Sequence, residues 1–256
     1  MKAIRPLLAL LLGLALGLGV TAFAGESPWH VLTVLVKGAF GTRYDLGMTL
    51  FYMTPLLFTG LSVTVAFRAG LFNIGAEGQL TMGALAAAWV GILWPGLPTG
   101  WAWLVGYAAA VATGGAWAAI AGWLKARRGS HEVISTIMLN FIAASLASYV
   151  TLYVLKNPES QNPETMAIGS GYELPGLPGL AGTPVSLALV VALAAAVKLW
   201  WVFEKTRFGF ELKVVGQNED AARSAGISVA RVQVLAMIVA GMLAGAVALE
   251  IGRAHV

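Results

Sequence analysis

The chain has 256 residues, of which 58% are hydrophobic and only 11% charged, and its mean hydropathy is +0.79. An ordinary soluble domain carries about 25% charged residues, so this composition excludes a soluble enzyme, a disordered chain and a fibrous protein. Zero cysteines exclude disulfides, Cys-ligated zinc and iron–sulfur clusters, and a net charge of +4 calls for no nucleic-acid partner.

A bilayer core takes about 20 consecutive apolar residues per helix. Seven stretches meet or approach that length: 6–24, 46–67, 74–94, 101–124, 133–155, 184–203 and 229–249. They predict an all-α, polytopic integral membrane protein of about seven transmembrane helices. The first stretch follows Lys2 and Arg5, as a signal peptide would, but its apolar run is longer than an h-region and more spans follow. It reads as an uncleaved first span, and Gly13 and Gly17 within it predict close helix packing.

Orientation follows from Lys and Arg in the loops. With the N-terminus cytoplasmic, alternation places 11 of these residues inside and only Lys37, Arg43 and Lys156 outside. Lys198, near the inner end of its span, can snorkel. Loop 25–45 then lies outside, and its apolar piece, 29–40, is expected at the interface. Loop 156–183, rich in Pro, Gly, Asn and Glu, reads as an irregular external loop. Loop 204–228 is the longest polar stretch on the cytoplasmic side. The whole of 1–249 reads as one transmembrane domain.

Several chemistries are absent. No GxxxxGK[ST] phosphate loop occurs, so ATP hydrolysis by that route is excluded. His131-Glu132 opens like a zinc-binding HExxH, but Ser135 stands where the second His belongs, leaving too few ligands for a metal. No Ser or Asp constellation in the spans supports membrane-embedded catalysis, so the chain does not read as an enzyme.

Two segments carry information. In the first, Asn73, Glu77, Gln79 and the glycines Gly70, Gly75 and Gly78 interrupt a stretch that should be entering hydrocarbon. A carboxylate there is costly unless it is paired or faces a cavity, and broken helices at depth often line transport pathways. Asn73 and Glu77 are therefore candidates for a pathway, or else they tie helix ends together by hydrogen bonds. Asn140, polar within an apolar run, faces the same choice between a cavity and a helix–helix hydrogen bond.

The second segment is DAARSAG over 220–226, within the cytoplasmic loop. Asn218 suits the cap of a short helix over 219–225, and Gly226 suits its left-handed end. Such a helix is too short to stand alone. Its alanines offer a low surface for a partner's groove, or it is a surface helix without a partner.

These segments together resemble the permease subunits of bacterial ABC importers, in the branch serving simple sugars, nucleosides and branched-chain amino acids. GLFNIGAEGQL over 70–80 and EVISTIMLN over 132–140 are most similar to the nucleoside-type members, and 220–226 resembles the EAAxxxG coupling motif with Asp for Glu. The resemblance covers roughly 46–249. It implies a subunit of the bacterial cytoplasmic (inner) membrane that moves a nucleoside or simple sugar inward with a second permease subunit, identical or homologous. It implies a cytoplasmic ATPase that binds ATP-Mg, this chain holding no cofactor, and an extracellular or periplasmic binding protein, often a lipoprotein. Asp220, Ala221, Ala222 and Gly226 become the ATPase-coupling residues, and Asn73, Glu77 and Asn140 the pathway candidates. Phe72, Phe141 and Tyr149 are aromatics that could stack on a base. The alternative is an ATP-independent secondary carrier or channel, which would need acidic relays in the spans.

Permeases of this kind continue through further spans, so the chain reads as truncated. Residues 250–256 read as a non-native tail: 251–256 match one frame of a common sequencing adapter, and native sequence is expected to end near Glu250. On that reading Arg253 and His255 carry no function.

Overall fold

The structure is a computed structural model, and it describes residues 4–248. The expectations for 250–256, including Arg253 and His255, lie outside the described residues.

Among the described residues ten α-helices follow one another: α1 (Ile4–Phe23), α2 (Pro28–Phe40), α3 (Arg43–Arg68), α4 (Ala76–Leu93), α5 (Thr99–Arg128), α6 (Glu132–Tyr149), α7 (Ala188–Lys205), α8 (Arg207–Gln217), α9 (Glu219–Ser224) and α10 (Val229–Gly245). A π-helical turn, Val150–Val154, prolongs α6, and a 3-10 turn covers Ser170–Tyr172. The expected all-α membrane architecture is the observed one. A helix stands at each of the seven expected spans, as α1, α3, α4, α5, α6, α7 and α10.

Four of these, α3, α5, α6 with its extension, and α10, are long and apolar enough by themselves to cross a bilayer. α4 carries Glu77 and Gln79 in its first turns, and α7 carries Lys198, Glu204 and Lys205, which lowers their hydropathy. α7 also starts at Ala188, four residues later than expected. Ser186 pairs antiparallel with Gly176, and its hydroxyl accepts from the Ala188 amide at 3.1 Å, so the helix begins only after that cap.

The chain divides into two compact units, one from the first 51 residues with Leu177–Val185, the other from Tyr52–Gly176 and the residues from Ser186 onward. In the first, Ser27 caps α2 and Pro28 opens it, where a missing N–H costs nothing. No residue of α2 is buried. The expected packing role of Gly13 and Gly17 is not seen, because a Cβ at either position meets nothing within 4 Å.

In the second unit the close helix packing falls on other glycines. Gly241 and Gly245, one turn apart on α10, lie on Gly114 and Ala110 of α5. A Cβ on Gly245 would run into the Ala110 carbonyl, and one on Gly83 of α4 would stand 2.9 Å from the Gly245 Cα. In lipid, helices associate by close backbone approach rather than by a hydrophobic drive. Bare backbone at these four glycines is what lets α4, α5 and α10 meet in one seam. Beside the seam, Val65, Ala118, Leu199, Leu212, Ala222, Val232 and Met237 form the main apolar core.

The stretch from Leu155 to Gly176 is irregular, as expected. Its Tyr172 is buried, and the hydroxyl donates to the carbonyls of Trp94 at 3.1 Å and Val90 at 3.3 Å, so it seals the end of α4.

Candidate functional site

The chain leaves α3 at Arg68 and enters α4 at Ala76, and the seven residues between are not helical. Gly70 starts the break with φ +72°, a left-handed conformation that a side chain would strain. Asn73 then turns inward and is 3% exposed. Its Nδ2 donates to Gln79 Oε1 at 3.1 Å, and Gln79 Nε2 donates back to Asn73 Oδ1 at 3.0 Å. The same Oδ1 accepts from the Gly75 amide at 3.0 Å. Gln79 is 1% exposed, so two buried amides satisfy each other across the break.

Asn140 adds the link to α6. Its Oδ1 accepts from the Gly78 amide at 2.9 Å, and its Nδ2 donates to the Ile74 carbonyl at 3.0 Å. A helix start leaves amides without partners, and here one of them is taken by a side chain from another helix. Gly75 and Gly78 are required by proximity. A Cβ on Gly78 would lie 2.7 Å from Asn140 Oδ1, and one on Gly75 would lie 3.0 Å from the Thr136 Cβ. The break is thus a clamp made by Asn73, Gln79 and Asn140.

Two of the three pathway candidates therefore have hydrogen-bond partners inside the chain. Glu77 is different. It is exposed on the first turn of α4, and its carboxylate has no ion pair or hydrogen bond among the described residues. Phe72, Phe141 and Tyr149 are also exposed.

The second segment folds as a short helix. Asn218 Oδ1 accepts from the amides of Asp220 at 2.9 Å and Ala221 at 3.0 Å, the pattern of an N-cap. Gly226 follows the helix at φ +76°, with nothing within 4 Å of where a Cβ would stand. Arg223 reaches back to Asp220 at 2.7 Å and to Glu219 at 2.9 Å. Asp220, Ala221 and Gly226 are exposed. Ala222 is not: it is 0% exposed and packs in the core with Val229 and Val232. A helix of six residues has fewer than two turns, and the side that carries Ala222 is the one that holds it to the protein. Of the four expected coupling residues, Asp220, Ala221 and Gly226 are thus exposed and Ala222 is buried.

The two segments meet. Gly216, at the end of α8, lies against the backbone of Arg68 and Gly70, and the Gly216 Cα is 3.2 Å from where a Gly70 Cβ would be. Ala69 and Leu71 share the core with Leu212, Val215 and Ala222. A cavity of about 750 Å³ opens beside α9, lined by Lys125, Glu219, Arg223, Gly226 and Gln233 among others. At its edge Lys125 Nζ stands 2.9 Å from Glu132 Oε2, which fastens the end of α5 to the start of α6.

Sequence reasoning overlooked the contact of Gly216 with Gly70, the seam glycines and Gln233. Signals existed for two of them. Gly241 and Gly245 have helical GxxxG spacing, and Gln233 is a lone amide in an apolar helix. No group of three or more potential metal ligands occurs among the described residues.

Residues 46–251 match the family described as branched-chain amino acid transport system / permease component. The chain is 39% identical to the guanosine ABC transporter permease protein NupP of Bacillus subtilis, over 94% of this chain and 69% of that one. It is 36% identical to the glucose ABC transporter permease protein TsgB13 of Haloferax volcanii, over 93% of this chain and 65% of the relative. It is 33% identical to the nucleoside ABC transporter permease protein NupB of Lactococcus lactis, over 95% and 69% respectively. The chain thus spans about two thirds of the length of these relatives. No solved structure matches it.

Proposed function

The chain belongs to the branched-chain amino acid transport system / permease component family, and from that membership we propose that it is the membrane-spanning permease subunit of an ABC importer for a nucleoside or a simple sugar. It is a transport subunit and not an enzyme. The observation that carries the mechanism is the short capped helix α9, exposed at Asp220, Ala221 and Gly226 and anchored at Ala222. This is the form expected of a helix that seats in the groove of a separate ATPase.

In this mechanism α9 lies on the cytoplasmic side, as the distribution of Lys and Arg requires, and the N-terminus is on the same side. The membrane is the bacterial cytoplasmic membrane. The ATPase holds ATP-Mg, and its ATP-driven closure tilts α9 and switches the pathway between inward- and outward-facing states; this chain's residues supply the docking face and the route to the membrane. The segment 69–75, clamped by Asn73, Gln79 and Asn140, borders the pathway, and Glu77 is its solvent-facing polar group. Asn73 and Asn140 shape the pathway, while Glu77 is placed to meet a polar solute. A second permease, identical or homologous, completes the pathway, and an external binding protein delivers the solute to the loops around 156–183. Nucleosides lead simple sugars on the strings at 70–80 and 132–140 and on the names of two relatives, a guanosine permease and a nucleoside permease.

A secondary carrier is the less favoured reading. It needs a chain of acidic groups, and Glu77 has no acidic neighbour within its segment. The test is docking. The wild-type chain should co-purify with the ATPase encoded at its locus, and Gly226→Trp should insert in the membrane and fail to retain that ATPase. Equal retention by Gly226→Trp would refute docking at α9.

A further inference from the structure

Gln233 sits in the second turn of α10, in a helix otherwise built of Val, Ala, Leu, Ile, Met and Gly apart from Arg231. It is 4% exposed. An amide buried in such a helix costs free energy unless it is hydrogen-bonded. Its partner lies outside α10: Nε2 donates to Glu219 Oε1 at 2.9 Å, across 14 residues of sequence. Glu219 is the first residue of α9, and its other oxygen accepts from Arg223 Nη2 at 2.9 Å. One carboxylate therefore joins the docking helix to itself and to α10.

The bond complements an apolar attachment. Ala222 packs with Val229, Val232 and Ala236 of α10, and the Ile227 amide donates to the Ala222 carbonyl at 2.9 Å. The apolar attachment holds the inner face of α9 and the Glu219–Gln233 bond holds its first turn, so the helix cannot pivot about either alone. From Gln233, α10 runs about 18 Å to Gly245 at the usual helical rise. There it lies on Ala110 and Gly114 of α5 and on Gly83 of α4, the helix that carries Glu77 and Gln79.

We propose that Gln233 is a positioning residue that fastens the coupling helix to α10, so that a displacement of α9 by the ATPase is delivered to the α4–α5–α10 seam as one rigid movement. The inference rests on the permease reading above, and it adds the residue through which the stroke enters the membrane. It touches neither solute nor nucleotide. Its role is to keep α9 and α10 from moving separately.

The chain has no cysteine, which makes a direct test available. The wild-type permease, its ATPase and its partner permease are reconstituted in proteoliposomes, and uptake of radiolabelled guanosine is measured together with ATP turnover. Gln233→Leu keeps the size of the side chain and removes the donor. A hydrogen bond to a charged group is worth about tenfold in an equilibrium, so guanosine moved per ATP should fall about tenfold while ATP turnover and ATPase retention stay as in wild type. Gln233→Asn, a shorter amide, should recover part of the loss.

The second arm does not depend on how well Gln233→Leu folds. In the double variant Glu219→Cys, Gln233→Cys, a short bifunctional thiosulfonate reagent restores the tie covalently. Transport per ATP should be low before cross-linking and return on it. An unchanged ratio in Gln233→Leu, or loss of transport on cross-linking, overturns the inference and leaves the permease reading standing. Failure of the wild-type chain to retain the ATPase at all overturns the permease reading, and this inference with it.

Discussion

Replacing Asn140 by Leu separates the two roles that its position allows. The side chain makes two bonds, from the Gly78 amide at 2.9 Å and to the Ile74 carbonyl at 3.0 Å. Leucine leaves both backbone groups without that partner. Side-chain hydrogen bonds between membrane helices are worth about 0.6 kcal/mol on average and at most about 1.7 kcal/mol. Two of them give about 1–3 kcal/mol. For a chain of this size each kcal/mol shifts the unfolding midpoint by about 2–4 °C, so Asn140→Leu should unfold roughly 5 °C lower in detergent, followed through tryptophan fluorescence. Glu77→Gln is the control. Its carboxylate is exposed and makes no ion pair among the described residues, so its midpoint should stay within about 1 °C while solute uptake falls. The clamp reasoning is refuted by an Asn140→Leu midpoint equal to wild type, or by a Glu77→Gln midpoint that drops as far.

The glycine seam makes a sharper contrast. Gly241→Leu drives a side chain into the Gly114 carbonyl and should lose about 3 kcal/mol or more, seen as failure to fold or a strongly lowered midpoint, whereas Gly13→Leu, with open space around it, should change stability by less than about 0.5 kcal/mol. Asn218→Ala removes the cap of α9 and should cost about 1 kcal/mol locally, so the Ala222 and Ala225 amides, which bond within that helix, should exchange hydrogen about fivefold faster with the rest of the chain unaffected.

The helices were legible because apolar runs of bilayer length leave little choice: backbone groups in lipid must be satisfied within the segment. α9 was legible for a local reason, since its cap, Asn218, and its terminator, Gly226, lie next to it in sequence. The clamp was half legible. Glycines and amides marked 70–80 as a break, but Asn140 lies 62 residues from Gly78, and no local pattern announces which side chain will take a free amide. The same limit hid the contact of Gly216 with Gly70 and the bond from Gln233 to Glu219. Gly13 and Gly17 share the spacing of Gly241 and Gly245, yet only the latter pair meets another helix of the chain, because spacing alone marks a surface fit for close packing and does not say which partner lies against it. The burial of Ala222 was not legible, because the motif names residues and not the face on which each one falls.

The most direct measurement is the accumulation of a panel of nucleosides and simple sugars, guanosine and glucose among them, in proteoliposomes that contain this permease, its partner permease and its ATPase, with the binding protein outside and ATP-Mg supplied on the ATPase side. The account predicts accumulation that requires ATP, survives collapse of proton and sodium gradients, and disappears in Gly226→Trp. Accumulation that persists without ATP and follows an ion gradient, or that is unchanged in Gly226→Trp, would contradict it.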